Sequence, residues 1–109
     1  MVPDISRSAR ERLLVCVSPK PESTKLIQSA RHVADDLQAE WFAVYVEVSK
    51  SLLLSEAEQD QLADNLRLAE QLGGKSITLK GRTVVEEVVR FAQQRNITRI
   101  VAGKPKRSR

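Results

Sequence analysis

Apolar positions along the chain change period several times, and each change marks an element. Leu13-Leu14-Val15-Cys16-Val17 is a continuous apolar run rich in β-branched residues, which predicts a strand over Arg12–Val17 covered on both faces. Ser18-Pro19-Lys20-Pro21 breaks it. From Ser23, a suitable N-cap, apolar residues recur at Leu26, Ile27, Ala30, Val33, Ala34 and Leu37, the spacing of a helix with one buried stripe. Glu40–Glu47 predicts a second strand, and Ser49–Leu54 a connection of undefined form. Ser55 and Glu58 form a capping box, opening a helix that turns Leu62, Ala63, Leu66, Ala69 and Leu72 inward until Gly73 ends it. Ser76–Leu79 predicts the third strand. Thr83 and Glu86 suggest another capping box, with Val85, Val88, Val89 and Ala92 as the inner face of the helix that follows. Asn96 closes that helix, and Ile97–Ala102 predicts the fourth strand.

Strands alternating with helices imply a parallel sheet. The expected fold is an open α/β sheet of Rossmann type, strand order 3-2-1-4, with helices on both faces. Residues 1–11 read as a linker or an appended remnant, and residues 12–109 as the domain. At 109 residues the chain has the size of one domain. Neither long apolar run, Leu13–Val17 or Phe42–Val46, approaches the roughly 20 residues of a membrane helix. Met1–Glu11 lacks the apolar stretch of a signal peptide. Cys16 is the single cysteine, so no internal disulfide can form, in keeping with a reducing compartment.

Lys and Arg exceed Asp and Glu by 18 to 14, a net charge of +4. Four of the last six residues are Lys or Arg, so the excess sits in the tail and the remainder is nearly balanced. Nucleic-acid binding is not expected. Single-strand binders stack bases on aromatic side chains, whereas three of the four aromatics here, Trp41, Phe42 and Tyr45, fall in one strand and read as core.

Local motifs carry little chemistry. Gly74-Lys75-Ser76 resembles the end of a phosphate loop, but position 69 is alanine and the motif follows a helix rather than a strand; it reads as a helix stop. His32 lies near Asp35 and Asp36 with no second histidine or cysteine to complete a metal site, and reads as a solvated helix face. Cys16 is expected to point into the core as an inert thiol, and Ser18 has no base beside it in sequence. No catalytic residue, metal or cofactor is expected. What remains is the rim of the sheet. With order 3-2-1-4, Ser18-Pro19-Lys20 after the first strand lies beside Gly103-Lys104-Pro105-Lys106-Arg107-Ser108-Arg109 after the fourth. Between oppositely wound halves, that crevice is where open α/β sheets bind ligands.

The first strand with Ser18, the segment Ala39–Glu47, the run Asn65–Gly73 and the segment Val101–Arg109 together resemble the universal-stress-protein domain of the Kdp potassium-sensor histidine kinases, over nearly all of Glu11–Arg109. The resemblance implies a cytoplasmic, non-catalytic regulatory domain of a two-component sensor histidine kinase held in the bacterial inner membrane. It implies partners among the other domains of that kinase. It further implies that the domain stops before a fifth strand, leaving the fourth as an apolar edge open to homodimer formation. Nucleotide-binding universal stress proteins carry an aspartate where this chain has Ser18, and a second glycine where it has Lys106. That departure implies loss of ATP binding of the usual kind, since a long side chain obstructs the approach of backbone to phosphate. Of the cyclic di-AMP signature found in some relatives, only Ser18, Ala43 and Tyr45 match. The expected site is therefore the basic rim: Ser18, Lys20, Gly103, Lys104, Lys106, Arg107 and Arg109, recognising an acidic protein surface, an anionic lipid or a small anion. Nucleotide sensing in the same crevice is the alternative.

Overall fold

A computed structural model of the chain describes residues 11–48 and 53–103. Strands β1 (Arg12–Cys16), β2 (Glu40–Val48), β3 (Lys75–Gly81) and β4 (Arg99–Val101) alternate with helices α1 (Ser23–Leu37), α2 (Glu56–Gln71) and α3 (Val84–Gln94). The four strands form one parallel sheet in the order β3-β2-β1-β4, as the alternation predicts. Leu13, Leu14 and Val15 of the central β1 are fully buried, which is why that strand reads as an unbroken apolar run. All of the expected linker except Glu11, and the cationic residues Lys104, Lys106, Arg107 and Arg109, lie outside the described residues, as does most of the undefined connection.

Side chains alternate across the strands, so β1 and β2 feed two cores. Leu13, Val15, Val17, Trp41 and Ala43 pack with Ile27, Ala30 and Ala34 of α1 and Ala69 of α2. On the opposite face Leu14, Phe42, Val44 and Val46 meet Val88 and Phe91 of α3. Two helices therefore cover one face and a single helix the other. Phe42 and Phe91 meet edge to face, centroids 5.5 Å apart, and the Arg95 guanidinium lies 5.3 Å from the Phe91 centroid.

Several boundaries and faces differ from the expectations. Ser23 is not the N-cap of α1; Glu22 holds that position without a side-chain bond, and Ser23 is the first helical residue, buried. At Ser55 the full capping box forms. At Thr83 the hydroxyl accepts from the Glu86 N–H, a simple cap where the spacing had suggested a box. In α2 the inward position belongs to Asn65, fully buried, while Ala63 is exposed. In α3 the inner face is Glu87, Val88 and Phe91, and Val85 and Val89 are exposed. The face is turned because Phe91 docks on Phe42 and Glu87 lies over Gly81, held by both carboxylate oxygens to Arg90 Nη1. Finally, β4 is three residues rather than six: Ile97 N–H bonds back to Ala92 and Thr98 binds Arg12 before pairing with β1 begins. Ile100 is half-exposed on that strand, and Arg99 is ion-paired to Glu11.

The resemblance to a phosphate loop at Gly73-Gly74-Lys75-Ser76 is accounted for by packing. Gly73 takes the left-handed conformation, φ 101°, that ends a helix. Gly74 lies flat on the Trp41 ring, Lys75 Nζ is 2.7 Å from Glu40 Oε2, and the Ser76 hydroxyl donates to Glu70. Gly73 and Gly74 make the turn, and Lys75 and Ser76 open β3.

Glu40 sits among Lys75, Arg12 and Arg95 at the amino ends of the strands. The hydrogen bond from Lys75, reinforced by the charges of Lys75, Arg12 and Arg95, holds its carboxyl below the usual value near 4.5. A depressed folded value means that the contribution is complete above the unfolded value and is lost as pH falls through the folded one. Stability is thus expected to fall below about pH 4.5 by under about 1 kcal/mol from this group, since its side chain is a third exposed and screened. Urea unfolding of Glu40→Gln against pH checks this: the variant should lose that part of the acid limb.

Candidate functional site

The loops past the carboxyl ends of β1 and β4 enclose a crevice of about 730 Å³, within the range of small-molecule sites. It lies at the reversal in strand order, between β1 and β4. Cys16 and Val17 form one wall, Val44, Tyr45 and Val46 of β2 the floor, Leu26 of α1 and Val84 and Val88 of α3 the sides. Lys20, Glu22 and Lys25 stand at the mouth. Of the expected rim residues, Ser18, Lys20 and Gly103 are brought together here. Lys104, Lys106, Arg107 and Arg109, which follow directly on Gly103, lie outside the described residues.

The shape of the Ser18–Lys20 loop follows from its chemistry. Pro19 and Pro21 remove two donors. The Ser18 N–H donates to Ser23 Oγ at 2.9 Å, and the two serine hydroxyls share a hydrogen bond of 2.9 Å. The Lys20 carbonyl accepts from the Ser23 N–H, and Pro21 accepts from the Thr24 amide and hydroxyl. Asn65 Nδ2, reaching across from α2, donates to the Ser18 carbonyl at 2.9 Å and the Lys20 carbonyl at 3.0 Å. The first amides of α1 are thereby bonded within the loop, as Ser23 to Lys20, Thr24 to Pro21 and Lys25 to Glu22. No cluster of free amides for a polyphosphate is left at this helix start, unlike the phosphate sites of that class. Positive charge at the mouth comes from side chains.

Two expectations about single residues change. Cys16 is not sealed in the core but half-buried on the crevice wall; burial still pushes its thiol above the ordinary value, so it is a weak nucleophile at neutral pH. Tyr45, read as core, is half-buried and lines the crevice. Burial chiefly, with Glu47 and Glu58 nearby, raises its phenol. The strand pattern could have revealed this, because Tyr45 stands at the carboxyl end of an alternation whose earlier aromatics, Trp41 and Phe42, are fully packed. His32 remains on the outer face of α1 beside Arg31, Leu68 and Leu72, and Asp35 is engaged by Arg31 at 3.0 Å. No helix among the described residues is long and apolar enough to cross a membrane.

No family profile matches the chain. Individual proteins do. It is 35% identical over 94 residues to the sensor protein KdpD of Clostridium acetobutylicum, covering 86% of this chain and 10% of that protein; the chain thus spans about a tenth of the length of such relatives. Among solved structures it superimposes on a universal stress protein family member from Burkholderia pseudomallei with a TM-score of 0.68 at 19% identity, covering 89% of this chain and 83% of that one. The universal stress protein of Archaeoglobus fulgidus in complex with dAMP gives a TM-score of 0.63 at 16% identity, covering 85% and 80%. At such identities the structures speak for the fold alone. The chain is thus similar in sequence to one segment of the KdpD sensor proteins, and its fold is that of the universal stress proteins.

Proposed function

We propose that the domain is a non-catalytic sensory module that binds a small ring-bearing organic anion, of the nucleoside monophosphate class, in the crevice past β1 and β4. The crevice itself carries this reading: its walls are mostly apolar, Tyr45 lines it, and Lys20 and Lys25 outnumber Glu22 at its mouth. An apolar recess with a few cations at the entrance suits a flat ring with one charged group. A triphosphate is disfavoured because the α1 amides are already bonded within the loop. The Archaeoglobus protein of like fold holds dAMP, which makes that nucleotide the natural first probe. Absence of catalysis is supported by Ser18, whose hydroxyl is tied to Ser23 rather than to a base. In the parent protein, a sensor histidine kinase responsive to potassium and anchored in the bacterial inner membrane, this domain lies in the cytoplasm and sets kinase output through neighbouring domains.

A second reading rests on a separate observation, the four Lys and Arg residues that follow Gly103. Such a cluster suits an acidic protein surface or an anionic leaflet, at about 1 kcal/mol per charge close to the membrane. Calorimetry of dAMP binding and flotation with phosphatidylserine vesicles separate the two. The Lys20→Ala/Lys25→Ala variant is expected to lose dAMP affinity about tenfold while vesicle binding persists. Vesicle binding without any dAMP binding would favour the surface reading.

A further inference from the structure

Asn65 is the most deeply buried polar side chain facing the crevice loop, and its position is unusual for a helix interior. It is fully buried in the middle of α2, where an apolar residue would ordinarily pack. Its amide nitrogen holds two carbonyls of the β1–α1 loop, and its Oδ1 accepts from Gln61 Nε2 at 2.9 Å, one turn earlier on the same helix. Among the described residues these two are the side-chain hydrogen bonds that link α2 to that loop. Pro19 and Lys20, which those bonds bracket, line the crevice. We infer that Asn65 is a positioning residue: it sets the lip of the crevice from behind and couples the state of that lip to α2.

The physical case is one of geometry and satisfaction. The Ser18 and Lys20 carbonyls are held by Asn65 of α2, so a displacement of the lip that widens or closes the crevice must stretch these bonds or carry Asn65 along. Breaking them would strand a buried amide, which is costly, so the lip and the middle of α2 move as one unit or not at all. Gln61 completes the arrangement by orienting the amide, leaving nitrogen for the loop and oxygen for itself. Resting on the crevice as the ligand site, this gives occupancy a route to a helix on the far side of the loop. Because coupling is reciprocal, whatever contacts α2 in the parent protein would in turn tune the lip.

Hydrogen exchange on the intact chain tests the coupling without any ligand. In Asn65→Leu, exchange across residues 18–26 is expected to quicken tenfold or more while Trp41–Val46 in β2 stays unchanged, which separates a loosened lip from global unfolding. In Ser23→Ala, which frees the lip from its other anchor, exchange across residues 61–69 of α2 should quicken at least threefold. Should Asn65→Leu fail to fold, Gln61→Leu must show the same acceleration in residues 18–26 to a smaller degree. Unchanged exchange in residues 18–26 of the Asn65 or Gln61 variant, or in α2 of Ser23→Ala, overturns the inference. With saturating dAMP, protection is expected in both segments of the wild type but only in residues 18–26 of Asn65→Leu; protection of α2 persisting in the variant would also overturn it. If the wild type binds no dAMP, the ligand reading fails, and the two ligand-free comparisons still decide the role of Asn65.

Discussion

Replacing Gly74 with alanine is expected to destabilise the domain by about 2 kcal/mol and to lower its melting temperature by roughly 10 °C. A Cβ at this position would stand 2.9 Å from three atoms of the Trp41 ring, closer than real contacts allow. Trp41 cannot retreat, because it is buried in the α1–α2 core against Ala69 and its neighbours. The added methyl is therefore accommodated only by shifting the ring or the start of β3, and a domain stable by only about 5–15 kcal/mol feels such a shift. Gly73→Ala gives the comparison. It has open space around it but φ of 101°, so its cost is backbone strain of about 1 kcal/mol. Urea unfolding of both variants should rank them in that order. Both lie at the amino end of β3, across the sheet from the crevice, so neither should change dAMP affinity. A phosphate-binding loop at these glycines would give the opposite pattern, lost affinity with stability preserved.

Val84→Trp is expected to do the reverse, weakening dAMP binding by tenfold or more, about 1.4 kcal/mol, with stability altered by no more than about 0.5 kcal/mol. Val84 opens α3, lines the crevice and is 45% exposed. An indole there would occupy part of the recess without entering either core, since Val88 and Phe91 provide the packing of this helix on the sheet. Calorimetry and thermal unfolding on the same preparation read the two quantities independently. Equal losses of affinity and stability would mean that Val84 belongs to the core rather than to the site.

What could be read from residues alone follows the range of the interactions involved. Period and local stop signals are short-range, so the strand order, the fully apolar β1, the left-handed Gly73 and Asn96 and the capping box at Ser55 were all legible. The turn of α3 was not. Valines at 84, 85, 88 and 89 make two adjacent stripes, and periodicity cannot choose between them; Phe91 meeting Phe42, forty-nine positions earlier, makes the choice. Ser23 looks like a cap because serine before a helical stripe usually is one, yet its hydroxyl is bonded to Ser18, five residues back and just past the end of β1. Asn65 was invisible because its carbonyl partners lie 47 and 45 residues away. The crevice was legible as a place, since strand order determines where β1 and β4 end. Its apolar lining was not, because β2 and α3 contribute Val44, Val46, Val84 and Val88 from positions with no motif. Polar residues with distant partners are the ones that local pattern misreads, and here they shape the candidate site.

The most direct measurement is an amide-resolved NMR titration of the 109-residue chain with dAMP, read at every assigned residue. Binding in the crevice should displace resonances of Cys16–Leu26, Val44–Val46, Val84–Val88 and Gly103, and leave the Gly73–Ser76 turn and the Glu40 cluster unmoved. Shifts confined to the outer faces of α1 and α2, or a spectrum unchanged at millimolar nucleotide, would contradict a ligand site between β1 and β4.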